Sequence, residues 1–320
     1  MITTALTEMF GLQHPIVLGP MGSVSGGHLA AAVSNAGGLG LVGGGYGDPA
    51  WLRTELDRVK RETDRPWGVG LITWSIDRSV LDLALAYRPA AFMLSFGDPR
   101  PYAEAIHTAG CKLICQVQDV EQAHVAREAG ADMIVAEGTE AGGHGGARAT
   151  LPLVPAVVDA VAGIPVVAAG GIADGRGLAA ALMLGAHGAL LGTRFYASSE
   201  ALGTDKAKRH IVAARGEQTA RTHVFDIVRG YVWPQTYPGR ALRNAFLERW
   251  TGRETELAAA LDKERDAYQA ATRNGDYETA VVWAGEAVDL IKSIESAAAL
   301  VERISTEAEA RLRAGARLVA

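Results

Sequence analysis

The sequence predicts an α/β protein folded as a (β/α)8 TIM barrel with a small, mostly helical insertion near its C-terminus. Three observations carry the prediction. Eight short β-rich runs alternate with Ala/Leu/Glu/Arg-rich stretches of helical spacing. The eight units fit within about 200 residues, which suits a closed barrel better than the runner-up, an open doubly wound sheet. The 38 glycines gather at the ends of the apolar runs, where βα turns need them.

In chain order, the first strand falls near Ile16–Leu18 and the second at Leu39–Val42. Trp67–Ile72, Ala91–Ser95, Lys112–Gln116 and Asp132–Glu137 supply the third to the sixth. Pro165–Ala169 and Ala189–Gly192 complete the set. Helical spacing lies between them, as in His28–Asn35, Val120–Ala129 and Arg176–Leu184. The joins Ala129-Gly130-Ala131-Asp132 and Leu184-Gly185-Ala186-His187 each place a glycine where a helix ends in a left-handed residue. After Phe195 the texture changes. Residues 200–276 are richer in charge, carry Trp233-Pro234, Tyr237-Pro238-Gly239 and Trp250, and show no clear strand. They read as the helical insertion or cap. The stretch from about Tyr277 to Arg317 reads as two amphipathic helices that return to serve as the barrel's eighth helix. The barrel therefore comprises residues 1–199 and 277–320.

Bulk properties narrow the class. A prior of roughly 150 residues per domain would divide 320 residues in two, but α/β barrels run to about 250 residues as one unit. Hydrophobic residues at 48% and charged residues at 21% describe an ordinary soluble protein. A net charge of −5 offers no basic footprint, so nucleic acid is not an expected partner. The longest apolar stretch, Leu151 to Ala173, is broken by Pro152, Pro155, Asp159, Gly163 and Pro165. It reads as a helix and then a strand, not a membrane span. The N-terminus shows no secretory leader. Cys111 and Cys115 lack the spacing and company of a metal knuckle and read as reduced thiols, which suits a cytoplasmic protein. No metal site is expected.

Two strings are decoys. Gly38-x-Gly40-x-x-Gly43 matches a dinucleotide fingerprint, but a helix precedes it and the strand lies inside it, the reverse of what the fingerprint needs. His144-Gly145-Gly146 resembles an esterase oxyanion strand, yet the chain has no Gly-x-Ser-x-Gly elbow. Two segments at strand C-terminal ends are more informative. Ala169-Gly170-Gly171-Ile172, with Asp174, follows the seventh strand, and Gly192-Thr193-Arg194 follows the eighth. Loops seven and eight of such barrels commonly bind phosphate. Glycine lets backbone N–H groups approach an anion, and Thr193 adds a hydroxyl. The alternative is that these glycines only make tight turns.

His144 follows the sixth strand among Gly142, Gly143, Gly145 and Gly146, on the face where barrel enzymes do chemistry. An imidazole there can take or hold a proton near neutral pH. The other seven histidines read as surface or element-end residues. Glu137 ends the sixth strand and could face the barrel mouth, whereas Glu140 reads as a solvated loop charge. Gln116 ends the fifth strand. Its amide suits a ring edge or a ribityl chain, or else simply orients a loop.

With these residues in place, a resemblance emerges. Gln13-His14-Pro15-Ile16, Pro20-Met21 and Leu29 through Gly40 resemble the N-terminal signature of nitronate monooxygenases, once called 2-nitropropane dioxygenases. Glu140-Ala141-Gly142-Gly143-His144 is similar to that family's catalytic-histidine motif. Ala169-Gly170-Gly171-Ile172 and Gly192-Thr193-Arg194-Phe195 are similar to its FMN-phosphate segments, and Trp283-Ala284-Gly285 to a piece near its C-terminus. FMN-dependent enoyl-acyl-carrier-protein reductases carry much the same motifs.

The resemblance implies non-covalent FMN. Its ring would lie near Pro20, Met21 and Gly22, and its phosphate on Gly170, Gly171, Gly192 and Thr193. Gln116, Glu137, Gly142 and Gly143 would also line the cofactor. His144 would be the base or the nitronate-binding residue. Three positions depart from the pattern: Gly70 stands where members often have Asn, Gln116 where some have Lys, and Glu137 where many have Gln. The last two changes remove a positive charge and put a negative one near the flavin, which disfavours an anionic reduced flavin.

Three functions follow as expectations. The first is oxidation of alkyl nitronates, or nitroalkanes, by FMN and O2 to a carbonyl compound and nitrite, with a small molecule and O2 as partners. The second is an NAD(P)H-dependent FMN reductase of an enoyl thioester. The third is a non-catalytic flavin-binding barrel. A homo-oligomer is left open. An acyl carrier protein would need a basic dock. The only candidate, Lys206-Ala207-Lys208-Arg209-His210, reads as a solvated helix face.

Overall fold

In the computed structural model, which describes residues 2–319, the eight expected strands are present and parallel. In chain order the strands are β1 Ile16–Leu18, β2 Gly40–Gly45, β3 Trp67–Ile72, β4 Ala91–Ser95, β5 Lys112–Val117 and β6 Met133–Glu137. They continue with β7 Gly143–His144, β8 Val166–Ala169, β9 Ala189–Leu191, β10 Thr219–Thr222 and β11 Gly239–Leu242. The large sheet runs β1-β9-β8-β6-β5-β4-β3-β2. Its two ends meet. Leu18 N–H donates to Leu39 O and Leu39 N–H donates to Ile16 O, both at 2.9 Å. The sheet is thus drawn into a (β/α)8 barrel, and the open-sheet alternative is not realised.

Strand alternation divides the apolar residues into two layers. Val17, Leu41, Met93, Ile114, Val135 and Val167 point inward and fill the barrel. Leu6, Phe10 and Leu12, on and after the helix Ala5–Phe10, join that cluster and plug its N-terminal end. Ile16, Val42, Phe92, Leu94 and Ile134 point outward beneath the helices. Each fully buried Leu or Phe contributes roughly 1.5–3 kcal/mol, so the barrel interior is a packed scaffold, and its C-terminal mouth is open for a ligand. Helices start where the sequence offers a capping carboxylate. Asp48, Asp77, Asp119 and Asp174 each accept from backbone N–H of the next turn. Asp174, grouped above with the glycines after the seventh strand, is thereby a helix cap.

Two expectations about the last third are corrected. Residues 200–276 do contain strands. β10 and β11 form an antiparallel sheet that recruits β7 from the barrel side, in the order β10-β11-β7. Thr219–Thr222 and Gly239–Leu242 are short, half polar and paired to distant residues, so no local alternation reveals them. Helices make up most of the rest of the insertion, around a separate core of Phe225, Phe246, Leu247, Trp250, Leu257 and Tyr268, with irregular chain at 230–238. The segment from 277 to 317 holds one long helix, Ala297–Gly315, preceded by irregular chain with a short turn at Glu286–Leu290. That helix packs between the helices Gly175–Met183 and Gly27–Asn35 and so takes the eighth-helix position. Cys111 and Cys115 are both free and buried. No helix among the described residues is long and apolar enough to cross a membrane.

The dinucleotide-like glycines have a packing role. A Cβ on Gly40 would collide with Ala30 O in the helix alongside, and one on Gly43 would collide with Met21 O. Gly40→Ala is expected to cost about 1–3 kcal/mol by overpacking, read as a lower urea midpoint. A Cβ added at Gly315, in the last helix, would meet nothing within 4 Å. Gly315→Ala should leave the midpoint unchanged or raise stability by up to about 1 kcal/mol through helix propensity. Equal midpoints for the two variants would overturn the close-approach account.

Candidate active site

A cavity opens at the C-terminal ends of the barrel strands, and the residues expected to bind the cofactor or carry the chemistry all line it. Pro20, Met21 and Gly22 come from the loop after β1, Gln116 from β5 and Glu137 from β6. Gly142, Gly143 and His144 come from the loop after β6, Gly170 and Gly171 from the turn after β8, and Gly192 and Thr193 from the turn after β9.

The turns after β8 and β9 form a glycine-lined cradle with the backbone groups an anion would need. Gly170 and Gly171 take φ of 99° and 70°, a region open to glycine. The N–H groups of Gly171 and Gly192 have no hydrogen-bond partner among the described residues. A Cβ at Gly192 would meet only Met21 Sδ, at 3.6 Å, so the backbone there is open to a ligand. Thr193 Oγ1 accepts from Gly285 N–H at 3.0 Å, which leaves its hydroxyl proton to donate. Arg194 is not part of the cradle. It is buried and holds Ala197 O at 2.9 Å and Ser293 O at 2.5 Å.

The histidine loop is tied down at several points. Glu140 is not a solvated charge. Its carboxylate accepts from Thr150 N–H at 2.9 Å and Thr150 Oγ1 at 2.7 Å, which fixes the loop to the start of the helix Thr150–Ala160. Arg221 of β10 donates to Thr139 O at 2.9 Å and Gly145 O at 3.1 Å, and Arg240 of β11 donates to Thr139 O at 2.9 Å. β7 then pairs with β11, with His144 opposite Gly239 and Gly143 opposite Arg240. Gly142 has a structural reason to be glycine, since a Cβ would lie 2.6 Å from Gly285 N.

His144 is held by a residue that no sequence motif signals. Asp226, on the helix Val224–Arg229 of the insertion, lies 3.0 Å from His144 Nε2 through each of its oxygens and is almost fully buried. An ionised carboxylate can only accept, so Nε2 carries the imidazole proton and Nδ1 keeps its lone pair. Nδ1 has no partner among the described residues. The Trp233 ring lies parallel on the imidazole at 3.5 Å, and Trp283 is 5.2 Å away. Burial lowers the His144 pKa below its ordinary 6.5, although Asp226 pulls the other way. The ring is therefore neutral at working pH and poised to accept a proton.

The cavity wall beyond His144 is aromatic. Phe96 and Trp74 meet Trp233 edge-on at 5.0 and 5.2 Å. Trp233 Nε1 donates to Tyr46 Oη at 2.8 Å, and Tyr46 stacks on Tyr231 at 3.9 Å. Apart from the tryptophans and prolines noted in the insertion, nothing local signals this wall. At the barrel floor, Glu137 receives Gln118 Nε2 at 3.2 Å and a close hydrogen bond from Gln116 Nε2. Gln116 in turn accepts from Ser95 Oγ at 2.7 Å. Burial pushes the Glu137 carboxyl up to about 7, while the two amides and Arg221 act to lower it. The fixed negative charge expected at this position is thus softened. The departure at Gly70 also has a cause: a Cβ there would strike the Pro20 ring.

The family model described as nitronate monooxygenase matches residues 3–78 and 73–307. The chain is 34% identical to a nitronate monooxygenase of Neurospora crassa, over 94% of this chain and 91% of that protein. It is 37% identical to the (3aS,4S,5R,7aS)-5-hydroxy-7a-methyl-1-oxo-octahydro-1H-indene-4-carboxyl-CoA dehydrogenase of Mycobacterium tuberculosis, over 81% and 72% of the two chains. The structure of FabK from Thermotoga maritima superposes with a TM-score of 0.89 at 32% identity and covers 100% of both chains. Relatives of similar closeness thus carry different names. On the family match and its coverage, the chain is an enzyme of the nitronate monooxygenase family, a family of flavoenzymes.

Proposed function

We propose that the protein binds FMN and oxidises alkyl nitronates, and the nitroalkanes that give rise to them, with O2 as the electron acceptor and a carbonyl compound and nitrite as products. The observation that carries this reading is His144 itself: neutral, oriented by Asp226 through Nε2, with Nδ1 free at the cavity. The residues present fit FMN. Gly171, Gly192 and Thr193 would hold its phosphate, and Pro20, Met21 and Gly22 would border its ring. When bound, FMN supplies the two-electron acceptor that no side chain here can provide.

The chain's own residues supply the acid–base chemistry. A neutral nitroalkane carries an acidic C–H beside the nitro group. Nδ1 of His144 takes that proton, and Asp226 stabilises the imidazolium that forms. The aromatic wall of Trp233, Trp283 and Phe96 excludes water from the reacting carbon. A preformed nitronate has already lost the proton and does not call on His144 as a base.

A second reading, an NAD(P)H-dependent FMN reductase of an enoyl thioester, is favoured by the likeness to FabK from Thermotoga maritima, an enoyl reductase. The geometry supports it less. Reduction of an alkene needs a proton donated to carbon, whereas His144 is arranged to accept one. The basic run offers little dock for an acidic carrier protein. Lys208 is buried with Nζ on Ser199 O at 3.2 Å, which corrects its reading as solvated, and Lys206 Nζ lies 5.9 Å from the Tyr277 ring centre.

Three outcomes are expected. Purified protein should hold FMN far more tightly than FAD, and Gly171→Val or Gly192→Val should weaken FMN binding at least tenfold in a fluorescence titration. Absence of FMN affinity in the parent protein would overturn the cofactor assignment.

His144→Asn and Asp226→Asn should each lower nitroalkane turnover by about 10²–10⁴-fold while FMN stays bound. The amide introduced by Asp226→Asn would donate to Nε2 and reverse the tautomer. A loss under tenfold in both variants would remove the base. Because burial lowers the His144 pKa, its basic form already predominates at neutral pH. The rise of kcat/KM for nitroalkane with increasing pH should then have its midpoint below 6.5.

Finally, an oxygen electrode should record uptake with propionate 3-nitronate in the absence of NADH or NADPH. Rapid flavin bleaching by NADH or NADPH, with no oxygen uptake on the nitronate, would install the reductase reading instead.

A further inference from the structure

Glu137 has no role in the base chemistry of His144, yet it is the carboxylate of the barrel floor and lines the same cavity. It is buried, and no cation lies within ion-pair distance of it among the described residues. A buried carboxylate without a paired cation is costly unless something else stabilises its charge or removes it.

Its surroundings are built to accommodate both protonation states. Gln116 Nε2 from β5 and Gln118 Nε2 from the following turn both donate to a single oxygen, Oε2. Oε1 has no partner among the described residues. Gln118 Oε1 is itself buried without a hydrogen bond. A half-turn of that amide would place an acceptor where a donor now stands, 3.2 Å from the carboxyl. The present orientation serves the carboxylate, and the turned one serves the carboxylic acid.

The charged and titratable groups that face Glu137 are few. Arg221 comes from β10. Burial lowers its pKa to about 10, so it stays cationic at neutral pH, and its charge opposes the burial effect on Glu137. Arg221 spends its N–H groups on Thr139 and on the carbonyls of Gly145 and Pro238. Ser95 and Gln116 on β4 and β5 are uncharged, Ala169 on β8 is apolar, and His144 on β7 is neutral.

We propose that Glu137 is a redox-linked proton acceptor for bound FMN: its carboxylate takes up a proton when the flavin is reduced and releases it on reoxidation, so that the net charge of the buried site stays constant. The inference rests on the FMN reading above. The balance is simple. Reduction of FMN to its anion takes two electrons and one proton. The added negative charge beside a buried carboxylate draws a second proton from solvent onto Glu137, whose O–H then meets the turned Gln118 amide. The electrons come from the substrate in turnover, or from dithionite in the test, and both protons leave when O2 removes the electrons.

The test counts protons rather than turnover. FMN-loaded protein in weakly buffered solution at pH 8 is reduced anaerobically with dithionite, and proton uptake is read with an indicator dye after correction for dithionite's own protons. Wild type should take up close to two protons per FMN reduced, and Glu137→Gln close to one. The reduced-minus-oxidised infrared spectrum of wild type should gain a protonated-carboxyl band that Glu137→Gln lacks. Equal proton counts in the two proteins, or no carboxyl band in wild type, would overturn the proposal. The band can be read in wild type alone, so a variant that loses FMN does not shelter the idea. The FMN titration above judges the cofactor assignment separately, so its failure is not mistaken for this one.

Discussion

The antiparallel pairing of Gly143–His144 with Gly239–Arg240 is the constraint on which the site depends. It is only two residues long. It nevertheless joins the loop after β6, which carries the histidine, to the insertion, which carries Asp226 and Trp233. It thereby places His144 and its carboxylate partner in one body. Arg221 and Arg240 reinforce the join by holding loop carbonyls from the insertion side. Such hydrogen bonds from a charged donor are worth about 1.5–3 kcal/mol each. Gly239 matters for the same reason: a Cβ there would collide with the Trp283 ring and lie 3.3 Å from His144 Nε2.

Burial acts on two ionisable groups of the cavity, His144 and Glu137, in one direction, toward the neutral form. It lowers the pKa of His144 and raises that of Glu137 to about 7. A neutral imidazole is a base, and a carboxyl near neutrality is easily protonated or deprotonated. One physical cause, removal from water, thus produces two groups suited to different tasks. Asp226 stays useful because it is a hydrogen-bond acceptor in a fixed place: it selects the tautomer and offsets part of the burial effect on the ring it holds.

The mouth of the barrel also carries unusual backbone. Ser23 and Phe96 take φ of 61° and 64°, left-handed values that non-glycine residues adopt at some cost. Ser23 lies just past the Pro20–Gly22 loop, and Phe96 turns its ring to the edge of Trp233 from the end of β4. Both sit at strand C-terminal ends, where the barrel core no longer dictates an extended chain and ligand-facing geometry takes over.

Much of this was legible in the residues. Apolar runs of strand length between helical stretches located all eight barrel strands to within a residue or two, except at the C-terminal end of β2, because strand burial and helix amphipathicity are local periodic signals. Gly170, Gly171, Gly192 and Thr193 were readable because a close backbone turn demands glycine wherever it occurs. His144 was readable because four glycines surround it. The strands β10 and β11, the single C-terminal helix, the capping role of Glu140 and the burial of Lys208 were not. Each depends on a contact made outside the helical or strand repeat, whether Lys208 to Ser199, Glu140 to Thr150 or Thr219 to Leu242, and no local period records such a partner. The pairing of His144 with Asp226 is the clearest case. Local pattern was enough to specify a barrel, a glycine-lined cradle at its C-terminal ends and a histidine at its mouth. Which nitrogen of that histidine carries the proton was left to folding, because tautomer and pKa are set by burial and by a carboxylate that the tertiary fold brings to 3.0 Å.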